Sequence, residues 1–349
     1  MIMGTMLYNV NDTATGILAA KQIKENLFVG LLHKNGKALH EQTETDVSTI
    51  RMMKYKPITA DARELGATTN GGFFNSQGAE ISEVSEYDLN LLYFYDRMVD
   101  IPEVQQDMCP ANLFDAANTN IGGRVATEIN ASTIAAQLKA VFDVVGAMDT
   151  PAWADHAVVL ASTPKYYDAF MDASVMLDNG DEANGIQTFP VEEREFLMLP
   201  EYRKGLMSQS GVLLGGSNFA QSMLAKGGVD PDSRKENGSM YVGEIDLIPC
   251  YVYPKPIASR AKAWTDNATF MDGVKAIMCA AAATDRAIST PSYVKITDSP
   301  DGAGKRLQPK VRWGINVCYP KGIVPILANG TAAPTKGATL TVKAPGSKS

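Results

Sequence analysis

The stretch Tyr87-Asp-Leu-Asn-Leu-Leu-Tyr-Phe-Tyr-Asp-Arg-Met-Val-Asp-Ile101 carries the most regular pattern in the chain. Its odd positions are Tyr87, Leu89, Leu91, Tyr93, Tyr95, Arg97, Val99 and Ile101; all but Arg97 are apolar or aromatic, and most even positions hold Asp, Asn or Met. A two-residue period places alternate side chains on opposite faces of a pleated strand. At a rise of ~3.3 Å per residue the stretch predicts an element about 50 Å long. Ordinary strands run to about six residues. A continuous strand of this length would overshoot the core of one domain, so part of it is expected to project and pair with another copy of the chain.

Upstream, residues 57–86 are rich in Gly (Gly66, Gly71, Gly72, Gly78), Thr, Asn and Ser. Joined to the strand, they predict an extended two-stranded hairpin with its tip near Gly71-Gly72. Isolated hairpins are marginal in water, so this one is expected to order against a neighbouring surface. Residues 1–56 mix a short helical stretch, Gly16–Asn26, with turn-rich sequence and read as an arm that docks elsewhere.

Downstream, Pro102 stops the strand, and a loop with Pro110, Gly122 and Gly123 is expected to lead into a helix. Asn130 is its candidate N-cap; Ile134, Leu138, Val141, Val145 and Met148 then recur at spacings of four, three, four and three, with Phe142 widening the stripe. Gly146 and Pro151 end it. Ala157–Ala161 predicts a short buried strand. Thr163 and Pro164 then suit the cap and first turn of a second helix, with Tyr167, Phe170, Met171 and Val175 inward.

Residues 180–240 are Gly-rich, with an amphipathic segment at Asn218–Lys226 and an exposed loop at Gly227–Gly238. Tyr241–Tyr253 alternates as a strand, with Ile245 and Leu247 on one face. Val274–Ile288 reads as a buried strand passing into a packed helix, though periodicity leaves the two open. Val311, Trp313, Ile315, Val317 and Tyr319 share one face; with the Tyr319-Pro-Lys-Gly322 turn and Ile323–Leu327 they predict an antiparallel hairpin. Beyond Ala328 the composition predicts a tail that is mobile or ordered by a neighbour.

The 349 residues are 45% apolar and 20% charged, so the chain can bury a substantial core. A net charge of −7 without long basic runs argues against a strong electrostatic grip on nucleic acid. No stretch is apolar enough to span a membrane, and Met1–Gly30 lacks a signal-peptide pattern, so folding in the cytoplasm is expected. Cys109, Cys250, Cys279 and Cys318 are far apart and read as buried free thiols. His33, His40 and His156 sit beside no triad or metal pattern and read as solvated or capping groups.

Three further constellations fall short of chemistry. Asp301-Gly-Ala-Gly-Lys305 lacks the spacing of a phosphate loop, since Ser299 and Arg306 stand where Gly and Ser or Thr are required. Gly211-Val-Leu-Leu-Gly-Gly-Ser217 reads as a Gly-rich turn before a helical segment, but no Rossmann-type strand leads into it. Glu192, Glu193 and Glu195, and Asp178, Asp181 and Glu182, read as solvated acidic faces. The expectation is therefore a non-enzyme with no catalytic, cofactor-binding or metal-binding residue and no cofactor.

The order of these elements resembles the tailed-phage major capsid protein of the Hong Kong 97 type. The resemblance rests on Ser82–Pro102, Thr127–Met148, Val158–Met171, Gly238-Ser-Met-Tyr-Val-Gly-Glu-Ile-Asp-Leu-Ile-Pro249 and Arg312-Trp-Gly-Ile-Asn-Val-Cys-Tyr-Pro-Lys-Gly-Ile-Val-Pro325, and spans roughly residues 30–327. It implies an α+β fold with an N-terminal arm (1–56), an extended loop (57–102), a peripheral domain with a spine helix (103–180), a mainly axial domain (181–305), closing peripheral strands (306–327) and a C-terminal tail (328–349). It further implies hexamers and pentamers that close into an icosahedral head around double-stranded DNA, within the virion.

Two departures qualify the resemblance. The chain lacks the long charged N-terminal scaffolding segment of some members, which implies a separate scaffolding protein beside a portal and a possible decoration protein. Residues 60–102 contain no Lys, so the covalent Lys-to-Asn cross-link of the founding member is not expected. Alternative readings are an encapsulin-type shell, a tail-tube or adaptor protein, and a nucleotide-dependent enzyme using the Gly-rich segments.

Overall fold

The structure, a computed structural model, describes residues 49–55, 84–90, 93–94, 98–102, 113–213, 241–289, 294–298, 304–309 and 311–345. In chain order it opens with strands β1 (Thr49–Tyr55), β2 (Val84–Asn90), β3 (Tyr93–Phe94) and β4 (Val99–Pro102), followed by helix α1 (Leu113–Ala147). Next come β5 (Val158–Val159), α2 (Tyr166–Asp178), β6 (Arg194–Met198) and α3 (Pro200–Leu213). Then follow β7 (Tyr241–Ile245), β8 (Ile248–Val252), α4 (Lys255–Ala263), α5 (Ala268–Gly273) and β9 (Val274–Ala280). The described chain closes with β10 (Thr284–Ser289), β11 (Val294–Asp298), β12 (Gly304–Pro309), β13 (Arg312–Val317) and β14 (Ile323–Leu327).

The centre is a six-stranded sheet of order β5-β14-β9-β6-β8-β7, parallel at β5/β14 and β6/β8 and antiparallel elsewhere. Alternate residues feed two cores, as the pleat requires. Leu197, Tyr251, Ile277, Cys279, Ile323 and Leu327 face α1, α4 and α5. Phe196, Met198, Cys250, Ala276, Met278, Val324 and Ile326 face α2 and α3. The sheet is thus the middle of three layers, and β6 and β14 are buried at all five positions. Burial on both faces explains why β14 reads as a short apolar run without alternation.

Helix α1 spans 35 residues, about 52 Å at 1.5 Å per residue. It begins well before the expected N-cap: Asn130 is fully buried inside it, and Gly122 and Gly123 are helical. The stripe after Asn130 is stronger, yet it continues upstream through Ile121, Val125 and Ile129 at spacings of four, all buried. Tertiary burial therefore overrides two glycines that each cost about 1 kcal/mol of helix propensity. The predicted end is correct, and Gly146 has a packing role there. A Cβ on Gly146 would stand 2.2 Å from the carbonyl oxygen of Ala338.

Several expected elements are redrawn. Tyr87–Ile101 is not one strand: β2, β3 and β4 belong to three different sheets. β2 pairs antiparallel with β1 from Thr49↔Asn90 to Tyr55↔Val84, β3 pairs with β13, and β4 pairs with β12. Both β3 and β4 thus find partners in their own chain. The period-two pattern records one apolar face per segment, not a single neighbour along the whole length. The expected Gly71-Gly72 tip lies outside the described residues, as do the segments expected at 16–26, 218–226 and 227–238.

Tyr241–Tyr253 is a hairpin, β7–β8, turning at Asp246 and Leu247, whose φ values of 52° and 64° are those a tight two-residue turn demands. Val274–Ile288 is two strands, β9 and β10, with no α-helix between them. β13 and β14 do not form a hairpin; β13 joins β10 and β3, whereas β14 inserts between β5 and β9. The turn at Pro320–Gly322 was legible, but it passes the chain from one sheet to another.

Helix α2 starts at Tyr166 with no side-chain cap, and Thr163 is exposed. Its buried face is Ala169, Phe170, Ala173, Ser174 and Leu177; of the expected face Phe170 is fully buried, Tyr167 and Met171 are half-buried against the same core, and Val175 points outward. Small Ala residues allow close approach to the sheet, which composition-based reading undervalues. The boundaries drawn at residues 180 and 305 also do not coincide with sheet boundaries, because β5 and β14 share the central sheet with β6 to β9.

The C-terminal tail docks on its own chain. Gly337 N donates to Gly146 O at 2.8 Å, Leu340 N to Asp143 Oδ1 at 2.7 Å and Lys343 N to Trp264 O at 2.9 Å, and Val342 bridges to Thr265. Leu340 is 1% exposed within the α1 core. Leu340→Ala is expected to destabilise the protein by about 2–4 kcal/mol. A denaturant titration that shows no loss, relative to a Thr339→Ala control on the exposed side, would contradict this docking.

Candidate assembly surfaces

The ribbon β1–β2 is the element with the least support from its own chain: it is a two-stranded sheet with no third strand among the described residues. Such ribbons have open edges on both sides and are marginally stable alone. Its root is nevertheless firm. Immediately after β2 the chain enters β3, whose Tyr93 sits opposite the buried Trp313 of β13, and then β4, whose Ile101 is buried. Arg306 on β12 makes a bidentate pair with Asp100 on β4, at 2.6 and 2.7 Å, which holds the Asp100 carboxyl below its usual range. The arrangement is a two-stranded ribbon joined to a well-packed body through two short strands.

Beyond the ribbon, the large exposed apolar side chains among the described residues are Met98, Val159, Val175, Met207 and Leu247. Leu247 stands out, because it is 72% exposed at a positive φ where Gly or Asn is the unstrained choice.

The acidic groups read as solvated faces are partly interior. Arg194, fully buried on β6, donates from Nε to Phe189 O at 2.9 Å and from Nη1 to Ser174 O and Oγ at 3.0 and 2.8 Å, and pairs with Asp178. The guanidinium thus sits near the C-terminal turn of α2, where a positive charge meets the negative end of the helix dipole. Asp181 is buried, accepts from Asn184 Nδ2 at 2.5 Å and lies 3.4 Å from Lys321. Glu195 is buried on the opposite face of β6, where its charge acts on Arg286. Burial nonetheless pushes Arg286 down to about 9. Glu182 and Glu192 are exposed, and Glu193 is half-buried. The signal that could have separated them is Arg194-Glu-Phe-Leu-Met198 itself, a charged pair running into an apolar triplet.

Arg194 acts as a structural fastener between β6, α2 and the Phe189 carbonyl. Arg194→Met, which keeps the volume but removes the donors for two buried carbonyls, is expected to cost about 3–5 kcal/mol. Asp178→Asn, with its carboxylate half exposed, should cost less than about 1 kcal/mol. Equal losses from the two in chemical denaturation would refute this role for Arg194.

His156, read as solvated or capping, is buried, and the reason is its place between Trp153 and β5. Burial lowers its pKa below 6.5, opposed by Asp155 and Asp181 and aided by Lys321. A depressed base binds fewer protons when folded than when unfolded, so stability falls as pH drops through this window. The melting temperature is expected to decline between about pH 7.5 and about pH 5.5, and His156→Gln should flatten part of that slope. Identical slopes for both proteins would count against it. His33 and His40 lie outside the described residues.

Among the described residues the remaining candidates do not assemble a site; residues 214–217 and 301–303 of the two Gly-rich segments lie outside them. Gly211–Leu213 belong to the C-terminal end of α3, not to a turn opening a helix, and a helix C-terminus disfavours anions. Lys305 lies in β12 opposite Ile101 and pairs with Asp298. Cys250 and Cys279 are buried, and burial raises their thiol pKa values, whereas Cys318 is half-buried with its Sγ 3.1 Å from Asp285 Oδ2. Cys109 lies outside the described residues. Among the described residues no group of His, Cys, Asp and Glu could hold a metal ion, and no helix is long and apolar enough to cross a membrane.

No protein-family model matches the sequence, and no curated protein matches it. Solved structures do. A chain from the capsid of Ralstonia phage GP4 superposes with a TM-score of 0.55 at 12% identity, covering 88% of this chain and 87% of its own. A chain from the mature capsid of bacteriophage PhiM1 gives 0.49 at 9% identity over 81% and 83%, and one from Mycobacterium phage Che8 gives 0.48 at 12% over 86% and 90%. What the chain shares with the GP4 capsid protein, over nearly the whole length of both, is its fold.

Proposed function

We propose that this chain is a structural subunit of a bacteriophage head, a major capsid protein of the Hong Kong 97 type with no catalytic role. The observation that carries the reading is the common fold with the GP4 capsid chain across 88% of this sequence. The ribbon β1–β2 supports it independently, since it has no third strand among the described residues and is joined to the body by β3 and β4.

In this reading the ribbon β1–β2 lies over an adjacent subunit, and the expected division into arm, extended loop, peripheral domain, axial domain and tail is retained as a working description. Subunits gather as hexamers and pentamers and close into an icosahedral shell around double-stranded DNA, in the virion, after assembly in the host cytoplasm. A separate scaffolding protein and a portal are the implied partners, with a decoration protein as a further one. Each contact needs only modest apolar burial, at ~25 cal/mol per Å², because a closed lattice repeats it many times. The acidic net charge of −7 suits enclosure of DNA without sequence-specific or tight binding.

Electron microscopy of the concentrated protein is expected to show closed shells. Deletion of residues 66–78 should leave a soluble, folded subunit, judged by an unchanged circular-dichroism melt, that forms none. Closed shells of normal size from the deletion variant would overturn the role given to the loop, and rings or rods from the intact chain would overturn the capsid reading.

A further inference from the structure

The described chain contains three Asn-Gly pairs, Asn179-Gly180, Asn184-Gly185 and Asn329-Gly330, all with the Asn exposed. An Asn followed by Gly is chemically prone to lose its side-chain amide, because the next backbone nitrogen is unhindered by a side chain and can reach the Asn Cγ. The three pairs differ in how firmly that nitrogen is held.

Gly180 N donates to Leu177 O at 3.2 Å, and its backbone is wedged so closely that a Cβ would stand 2.3 Å from Gln187 O. Gly185 N donates to Glu182 O at 2.9 Å, and the Asn184 amide is itself engaged, donating from Nδ2 to Asp181 at 2.5 Å. At Asn329-Gly330 nothing comparable exists among the described residues. The turn is closed on either side, by Thr331 N to Ala328 O at 3.2 Å and by Ala328 N to Gly273 O at 2.7 Å. Its tip is free: Gly330 has φ +79°, its N–H donates to no described group, and a Cβ placed there would meet nothing within 4 Å. The peptide between Asn329 and Gly330 can therefore rotate without breaking a hydrogen bond or a packing contact.

We propose that Asn329 is a site of spontaneous deamidation in the folded protein, and that Asn179 and Asn184 are protected by the fold. The deprotonated Gly330 nitrogen attacks Asn329 Cγ, the bond from Cγ to the side-chain nitrogen breaks, and ammonia leaves, forming a five-membered succinimide. Water then opens the ring at one carbonyl or the other, to aspartate or isoaspartate. The net reaction consumes one water, releases one ammonia and adds one negative charge. It falls beside Thr331, whose carbonyl accepts from Trp153 Nε1 at 3.2 Å and whose side chain packs on Gly273. The isoaspartate product lengthens the backbone there by one methylene. This inference is independent of the capsid reading and holds whichever way the assembly experiment falls.

The test is peptide mapping by mass spectrometry of the intact, folded protein held at mildly alkaline pH, with a parallel sample unfolded in urea. In the folded sample the peptide containing Asn329 should gain about 1 Da and split into aspartate and isoaspartate forms. The peptides with Asn179 and Asn184 should react at least about tenfold more slowly, because their reaction first requires a local opening. In urea the three rates should converge. Asn329→Gln should abolish the fast component. An unreactive Asn329 in the folded protein, or equal rates at all three sites without urea, would overturn the proposal.

Discussion

Helix α1 has to satisfy two different sheets at once, and the rest of the architecture follows from how it does so. Its apolar stripe, including Val125, Ile129, Leu138, Val141 and Val145, is buried in the core beneath the six-stranded sheet. A second row of buried positions is polar, and cannot be left without partners. Ser132 accepts from Trp313 Nε1 at 2.9 Å, Gln137 donates to Thr284 Oγ1 at 3.1 Å, and Thr133 accepts from Arg286 at 3.5 Å. All three partners lie on β10 and β13. The polar row therefore fixes where the three-stranded sheet β10-β13-β3 lies along the helix. Because β3 is its third strand, the row also fixes where the ribbon leaves the body.

A second set of contacts locks α1 to the segments packed over it. Glu128 accepts from Trp264 Nε1 at 3.0 Å and pairs with Arg260, tying α4 down. Phe142, Trp153 and Phe270 cluster with ring centroids 5.0 to 6.4 Å apart, joining the helix to α5. The tail then closes over Gly146 and Asp143. On the far face of the sheet Arg194 performs the equivalent service for α2. The body is thus tightly cross-braced on both faces.

Under the function proposed above, this distribution has a physical logic. Interactions that must survive in the free molecule are buried and densely partnered, as at Arg194, Ser132 and Glu128. The surface proposed to meet other copies, the two-stranded ribbon, is instead short of internal support among the described residues. Modest individual contacts let subunits correct errors before the lattice closes, and repetition then supplies the strength.

The residues alone determined a mixed α+β fold, the presence and C-terminal end of the long helix, and the β character of 87–90, 99–101, 312–317 and 323–327. These were legible because each depends on local periodicity or on a terminating Gly or Pro. Only the tertiary structure decided that Tyr87–Ile101 divides among three sheets, that β13 and β14 part company, that Arg194 and Glu195 lie inside, and that Leu340 anchors the tail. Strand pairing and charge burial depend on partners far away in sequence: Arg306 for Asp100, Ser132 for Trp313, Asp143 for the Leu340 amide. An alternating pattern can announce that a face will be covered, but the free energy of covering it resides in whichever distant segment the folded chain brings there.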